Sequence, residues 1–389
     1  MRITYVTETF PPEINGVSLS AARAVTHLRH AGHLVQVVRP RQRGEAPCDS
    51  ALQRLTFSGP IPMYPDLRYG LAGAAGFSKR WRQRGRPDLV HVATPGPLAW
   101  AALRAARAAG VPASADFRTN FHAYSHHYGL GFLEPLVLAY LRRLHALADC
   151  NFAPTPQLAR QLAAQGFERL AVVGRGVDAE RFSPVWRDPV LRQQWNARAH
   201  DPVLLHVGRL AAEKNVGLAL QTFERLRLLN PAVRMVVVGD GPQRAALERA
   251  HPLVRFVGVQ TGTALARHYA SADVFLFPSL TDTFGNVVLE ALASGLAVVA
   301  YNTAAAALHI GDNMSGCLAA PLPGAAAAAA FEHAARRALQ HATPGSALRL
   351  QALRAARRAD WSTVLRGFEQ HLRALAERAP ATVAHAAVA

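Results

Sequence analysis

Two doubly wound α/β domains, Rossmann-like and built on mainly parallel sheets, are what this 389-residue sequence predicts. Three observations point there. Short β-branched runs alternate with longer Ala/Leu/Arg segments along almost the whole chain, the pattern of βα units. The length exceeds what one ordinary core fills and favours two domains of roughly 150–200 residues each. Gly and Pro punctuation in GRGVDAERFSPVWRDP, residues 174–189, separates one βα series from the next.

The first series offers strands at residues 3–7, 35–38 and 89–92, with helical patterns at 19–31 and 98–109. The second offers strands at 203–207, 235–238, 274–278 and 297–300, with helical patterns at 218–229 and 265–271. Residues 348–378 form a long amphipathic stretch broken near Asp360 and Trp361, too long for the last βα unit. Its final helix is therefore expected to cross back to the first domain. The expected domains are 1–180, 181–360 and 361–389, the last being the returning helix and tail. The alanine tract at 325–330 needs no special role, since alanine is the best helix former.

Half the residues are hydrophobic, which argues against disorder. Near the start, Glu8, Pro11 and Pro12 interrupt what would have to be the apolar core of a secretion signal. No uncharged apolar run reaches the ~18 residues a membrane-spanning helix needs. Cys48, Cys150 and Cys317 show no paired spacing, so neither a disulfide framework nor a metal site is expected. These features suit a cytoplasmic protein.

The chain carries 43 Lys plus Arg against 26 acidic residues, a net charge of +17. Such a field attracts phosphate groups, nucleic acid or an acidic membrane surface. Only Lys79 and Lys214 are lysines, and the arginine excess beside abundant alanine reflects composition bias more than mechanism. Nucleic acid is not the expected partner, because no base-stacking platform or recognised motif accompanies the charge.

In open parallel sheets ligands bind outside the carboxyl ends of strands. VLLHVGRLAAEKN ends a strand at Val207 and places Gly208, Arg209 and Lys214 in the following loop and helix start. A glycine lets backbone approach a phosphate, and two cations beside helix N–H groups can hold a diphosphate. The plainer account is a surface loop with solvated Glu213 and Lys214; the rarity of lysine in this chain counts against it. VVVGDGPQRAAL lacks the G-x-G-x-x-G fingerprint, so no dinucleotide cofactor is indicated. In TDTFGNVVLEALASG, residues 281–295, a helix from about 285 to 294 follows a strand and a loop. Asp282 sits at its mouth, and Glu290 shares a stripe with Asn286 and Ser294. Either that stripe faces water and Asp282 is a helix cap worth ~1 kcal/mol, or it faces a cleft where two carboxylates bind sugar and ribose hydroxyls.

GRLAAEK followed about seventy residues later by PSLTDTFGNVVLEALASG resembles glycosyltransferase family 4. FPPEINGV, RGVDAERFSP, VVGDGP and HYASADVFLFPS match in the family's order across nearly the full chain. The resemblance implies a retaining enzyme of GT-B architecture, two Rossmann-like domains facing across a cleft, with 1–180 acceptor-binding and 181–360 sugar-nucleotide-binding. It implies that Arg209 and Lys214 bind the donor diphosphate, with Gly208 in the same loop, and that Gly16 belongs to the first-domain loop closing over it. Asp282 and Glu290 then occupy the ends of the family's paired-acid motif, the first on the transferred sugar and the second on the ribose. Phe284, Gly285 and Asn286 offer backbone N–H groups.

Three departures stand out. The first acid is Asp282, shorter than the usual glutamate. The place of the family's first-domain histidine falls on Arg118, with His122 four residues on, and both are kept as candidates. The Gly-Gly-x-x-Glu segment after the last strand is replaced by TAAAALHIGDNMSG.

The resemblance, including the FHAYSHHYGL segment, points to GDP-mannose-dependent α-mannosyltransferases and glycolipid-forming enzymes. It implies a GDP- or UDP-sugar donor, no separate cofactor, and a lipid or glycan acceptor. Residues 60–87 combine Trp81 and other exposed-looking aromatics with Lys79, Arg80, Arg82, Arg84 and Arg86. They suit peripheral docking on an anionic membrane, or equally a solvated basic face over core aromatics. A noncatalytic sugar-nucleotide-binding relative stays open through Asp282 and Arg118.

Overall fold

A computed structural model describes residues 1–13, 15–61, 64–117, 134–279, 284–341 and 343–378. Two compact units divide the chain: the first ends at Gly174 and resumes at Leu365, and the second holds Arg175–Val364. The first unit has strands β1 (Arg2–Val6), β2 (Leu34–Pro40), β3 (Gln53–Ile61), β4 (Tyr64–Leu71), β5 (Leu89–Val92), β6 (Ala113–Asp116), β7 (Cys150–Ala153) and β8 (Leu170–Val172). They form one sheet in the order β4-β3-β2-β1-β5-β6-β7-β8, parallel except for β4 against β3. The second has β9 (Val203–Val207), β10 (Arg234–Val238), β11 (Arg255–Phe256), β12 (Val274–Phe277), β13 (Ala297–Tyr301) and β14 (Cys317–Ala319). Their order is β11-β10-β9-β12-β13-β14, all parallel.

Helices cover both faces of the second sheet, and the two-residue period of each strand splits its side chains between two cores. Val203, Leu205, Phe275 and Val298 enter one. Leu204, Leu276, Val299 and Tyr301 enter the other. That double burial is why β13 reads as a continuous apolar run in the sequence and β9 as one broken only by His206. In each sheet the strand order reverses once, between β1 and β5 and between β9 and β12, and such switch points open the crevice where ligands sit.

The β3–β4 hairpin corrects the reading of residues 60–87. Proline argues against a central strand, yet β3 pairs with β2 only through Thr56 and with β4 only from Phe57 on, so Pro60 never needs a second partner strand. The following helix, Ala74–Arg84, buries Phe77 and Trp81 one turn apart. Their rings lie 5.8 Å apart in the core that also holds Val38, Leu98 and Ala102, with the Arg54 guanidinium 5.0 Å from the Phe77 ring. These two aromatics are core residues, not a membrane-facing surface. Lys79 and Arg82 are exposed, while Arg80 and Arg84 pair with Asp49.

The tail behaves as its break suggests. One helix, Ala347–Arg358, ends before Asp360, which bridges to Val177, and a second, Trp361–Arg378, enters the first unit at Leu365. Phe368 packs edge-on against His91 and Phe152, and Leu372 is fully buried. Glu369 accepts hydrogen bonds from His27 (2.9 Å), His33 (3.1 Å) and Arg373 (2.7 and 2.9 Å). Partial burial pushes its carboxyl up, but the bonds from Arg373, His33 and His27 outweigh that and draw its pKa down to about 2. A depressed carboxyl stabilises the fold above its ordinary value near 4.5, and that stabilisation is lost as pH falls toward about 2. Glu369→Gln is therefore expected to lower the melting temperature at neutral pH, and the gap from wild type should close under acid. Identical melting curves at neutral pH would contradict this account.

In the second unit a buried carboxylate gathers three arginines. Asp273, at the foot of β12, accepts from Arg187 (2.8 Å), Arg192 (3.0 Å) and Arg349 (3.2 Å), and from the backbone N–H of Val203 (3.0 Å). It ties the segment after the unit boundary and the helix Ala347–Arg358 to the centre of the sheet. Among the described residues, no helix is long and apolar enough to cross a membrane.

Candidate active site

At the carboxyl end of β9 the chain leaves the sheet through Gly208 and Arg209 into a single 3-10 turn, Ala212–Lys214, and then the helix Val216–Leu229. The loop is braced from beside it. Gly208 N–H donates to the Val238 carbonyl (3.0 Å) and Leu210 N–H to the Asp240 carbonyl (2.9 Å). Gly239 has φ +137°, and a Cβ there would lie 1.9 Å from the Gly208 carbonyl oxygen. The Gly-Asp-Gly turn thus serves close packing of the neighbouring loop, which explains glycines that carry no dinucleotide fingerprint.

The exit of β12 meets this loop directly. Ser279 Oγ donates to the Glu213 carbonyl (3.2 Å), and Asn215 Nδ2 donates to the Pro278 carbonyl (3.4 Å). Arg209 is about half exposed, with its guanidinium 4.0 Å from the buried Glu213 carboxylate, and Lys214 is half-buried on the same turn.

Beyond the β12 exit, the helix Asn286–Ala293 begins at Gly285, whose φ of +87° is left-handed. A side chain there would be strained and would also press the Phe277 ring at 3.1 Å. The N-cap position is Gly285, and among the described residues no side chain caps it, so the positive end of the helix faces out toward an anion. Phe284 is buried, and its carbonyl accepts from Ala305 N–H (2.9 Å).

Glu290 is not on a solvated stripe. Its neighbour on that face, Ser294, is fully buried, and Glu290 Oε2 accepts a hydrogen bond from the phenol of fully buried Tyr269 (2.9 Å). Burial and the adjacent carboxylate keep that phenol protonated. A carboxylate held by a buried donor is a fixed acceptor rather than a mobile surface charge.

The second unit therefore brings together Gly208, Arg209, Lys214, Gly285 and Asn286 at one switch point, with Glu290 one turn into the helix. Gly16 belongs to the first unit, exposed at the start of the helix Gly16–His30, where Asn15 Oδ1 caps Ser18 N–H at 2.8 Å. Asp282, Arg118 and His122 lie outside the described residues. Among the described residues, no cluster of three His, Cys, Asp or Glu is arranged to hold a metal.

Known proteins fit this geometry. Residues 201–341 match the family model for glycosyl transferases group 1, and residues 14–181 match that for glycosyltransferase family 4. A GDP-mannose-dependent alpha-mannosyltransferase of Mycobacterium tuberculosis (strain CDC 1551 / Oshkosh) is 39% identical over 308 residues, 77% of this chain and 79% of that one. The chain belongs to glycosyltransferase family 4. This glycosyltransferase is also similar to the alpha-monoglucosyldiacylglycerol synthase of Streptococcus pneumoniae, 28% identical over 82% of this chain and 75% of that one. Its fold is GT-B, shared with the Anabaena protein HepE in complex with UDP at a TM-score of 0.73 and 18% identity, covering 96% of this chain and 100% of that one.

Tyr269, Ser279 and Asn215 brace the candidate residues of this glycosyltransferase through their hydrogen bonds, and sequence reasoning left all three unassigned. The first two sit inside the HYASADVFLFPS match, but a hydrogen bond across 21 positions has no local signature. Glu8 is a fourth. At the end of β1 it accepts from Gly70 N–H (2.5 Å) and Leu98 N–H (3.1 Å), and burial pushes its carboxyl up to about 7 against those bonds.

Proposed function

We propose that this family 4 enzyme is a hexosyltransferase that moves mannose or glucose from a GDP- or UDP-sugar to a membrane lipid or glycan acceptor, with retention and an α-glycosidic product. The observation that carries the reading is the meeting at the β9/β12 switch point of the cationic loop with the loop that opens the helix Asn286–Ala293. The names of the relatives support the donor and acceptor classes: one is GDP-mannose-dependent, and another makes a glucosyl-diacylglycerol.

In this reading Arg209 and Lys214 hold the diphosphate, backed by the Gly208 backbone and the helix N–H groups near Gly285 and Asn286. Their charge is greatest in effect as the sugar–phosphate bond breaks and negative charge grows on the leaving group. Glu290, oriented by Tyr269, takes the ribose hydroxyls, and Asp282 takes the sugar. Phe284 fixes the approach of the helix start, Gly16 closes over the phosphates, and Arg118 or His122 contacts the reacting sugar. The departing diphosphate helps deprotonate the acceptor on the same face, so retention needs no dedicated protein base. The protein then works at the inner face of the cytoplasmic membrane, where exposed Lys79 and Arg82 meet anionic lipid.

A screen of GDP- and UDP-sugars, with and without membrane lipid, tests the reading. Transfer is expected from one donor class, and the anomeric proton coupling of the product should report an α linkage. A β-linked product would overturn retention, and donor binding without any turnover would make the chain a noncatalytic relative.

A further inference from the structure

The first unit holds a hollow of about 400 Å³ at the carboxyl end of β2, formed by the loop after that strand and by parts of β3 and β4. Its wall carries three arginines, Arg41, Arg43 and Arg68, and one acid, Glu45. Arg68 is a fixed part of the wall, its Nε on Ser58 Oγ (2.8 Å) and its Nη2 on the Ser58 carbonyl (3.1 Å). The Ser58 hydroxyl in turn donates to the Arg41 carbonyl (2.5 Å), which binds the loop to β3.

Glu45 does not neutralise the hollow. Both its oxygens are held by the buried Arg39 guanidinium (2.6 and 2.8 Å), and one also accepts from Gln42 N–H (2.8 Å). The hydrogen bonds from Arg39 keep its carboxyl below the usual range. Arg41 and Arg43 have no side-chain partner among the described residues, so three arginines line one concavity whose lining acid, Glu45, is already committed to Arg39. A concave wall of one sign focuses its field and concentrates oppositely charged ligands. Phe57, 70% exposed, adds an aromatic face beside the cations.

The hollow lies toward the ligand-binding edge of the sheet. Gln42 donates to Glu13, which also accepts from Thr9 Oγ, so the loop after β2 is joined to the loop after β1 at the β1/β5 switch point. Glu13 is thereby occupied by two neutral donors, outside the wall.

We propose that this hollow binds the oxyanion of an acidic acceptor headgroup, a carboxylate or phosphate held by Arg41, Arg43 and Arg68 with the sugar or glycerol face against Phe57. The inference rests on the reading that the chain is a transferase whose first unit takes the acceptor, and it narrows that acceptor to an anionic one. Arg68, already anchored on Ser58, sets the position of the anion, and the two loop arginines close on it as charge-assisted donors.

The test is calorimetric titration of the full-length protein and of R41Q/R43Q with octyl glucuronide, glycerol 1-phosphate, inorganic phosphate and octyl glucoside. One of the first two probes is expected to bind wild type and to bind the double variant weaker by roughly tenfold or more, the loss of charged hydrogen bonds. Octyl glucoside is expected to bind neither protein better than the acidic probes do. Equal affinities in the two proteins, or preference for the neutral probe, would overturn the proposal. Binding of inorganic phosphate alone would make the hollow a free-anion site and overturn the acceptor assignment. Sugar-nucleotide titrations of the same proteins separate the two readings. Equal donor binding leaves the transferase reading intact whatever the hollow does, whereas a wild type that binds no sugar nucleotide removes that reading while the anion titration still stands. R41Q/R43Q should melt with wild type, since neither side chain has a partner to lose among the described residues.

Discussion

Lys214→Ala is expected to weaken binding of the sugar nucleotide, and of the free nucleoside diphosphate, by roughly 10- to 150-fold, the range set by losing about 1.5–3 kcal/mol of charged hydrogen bonding. The turn Ala212–Lys214 is braced by its backbone and by its neighbours: Lys214 N–H donates to the Ala211 carbonyl (3.0 Å), and Ser279 Oγ donates to the Glu213 carbonyl (3.2 Å). A melting curve of the variant separates a loss of binding from a loss of fold. Arg209→Ala should act in the same direction and more weakly, because its guanidinium is about half exposed and already shares the field of Glu213. Glu290→Gln should reduce affinity for the nucleotide through the ribose while sparing inorganic diphosphate. Unchanged nucleotide affinity in both cation variants would remove the diphosphate from this loop.

Asp273→Ala should unfold the second unit at temperatures where wild type is intact. The carboxylate is almost inaccessible, as are two of its partners, with side-chain exposures of 4% for Asp273, 4% for Arg192 and 7% for Arg349. Removing one member of a buried ion network leaves charge without its counter-charge, and such losses run to about 3–5 kcal/mol. A domain stable by only about 5–15 kcal/mol cannot absorb that without a large fall in melting temperature. Trp195, buried in the core beside this network, gives the fluorescence readout. Asp273→Asn, which keeps the shape and one carbonyl acceptor, should be intermediate. An alanine variant that melts within about a degree of wild type would show that backbone carbonyls such as Ser271, which already accepts from Arg192 (2.7 Å), suffice for these arginines.

Several strands were legible because of where they ended up. β9, β10, β12 and β13 sit in the middle of a covered parallel sheet, and double burial demands apolar side chains at successive positions. β6 (Ala-Ser-Ala-Asp) and β7 (Cys-Asn-Phe-Ala) are as central in the first sheet but too short and too polar to stand out. Their polar side chains are tolerated because tertiary partners satisfy them: His91 Nδ1 meets Ser114 Oγ at 3.0 Å, and His145 Nδ1 meets Asn151 Oδ1 at 2.8 Å. The loops of the donor site were legible for a different reason. A rule of topology places ligands after strands, and it needs only the strand ends, which the apolar runs supply.

Sequence alone determined that the chain is a pair of parallel α/β units, that its tail turns back, and that the loops after β9 and β12 carry the family's residues, because each follows from local pattern. What it left open was which of its many arginines matter. Arg187, Arg192 and Arg349 share one buried carboxylate with sequence separations of 86, 81 and 76 residues. Arg39 is matched by Glu45. Arg41 and Arg43, close by in sequence, line a hollow and have no side-chain partner among the described residues. The chemistry of a guanidinium is the same at every position; its effect depends on the distance to the nearest acid and on how much water lies between, and only the tertiary structure sets those.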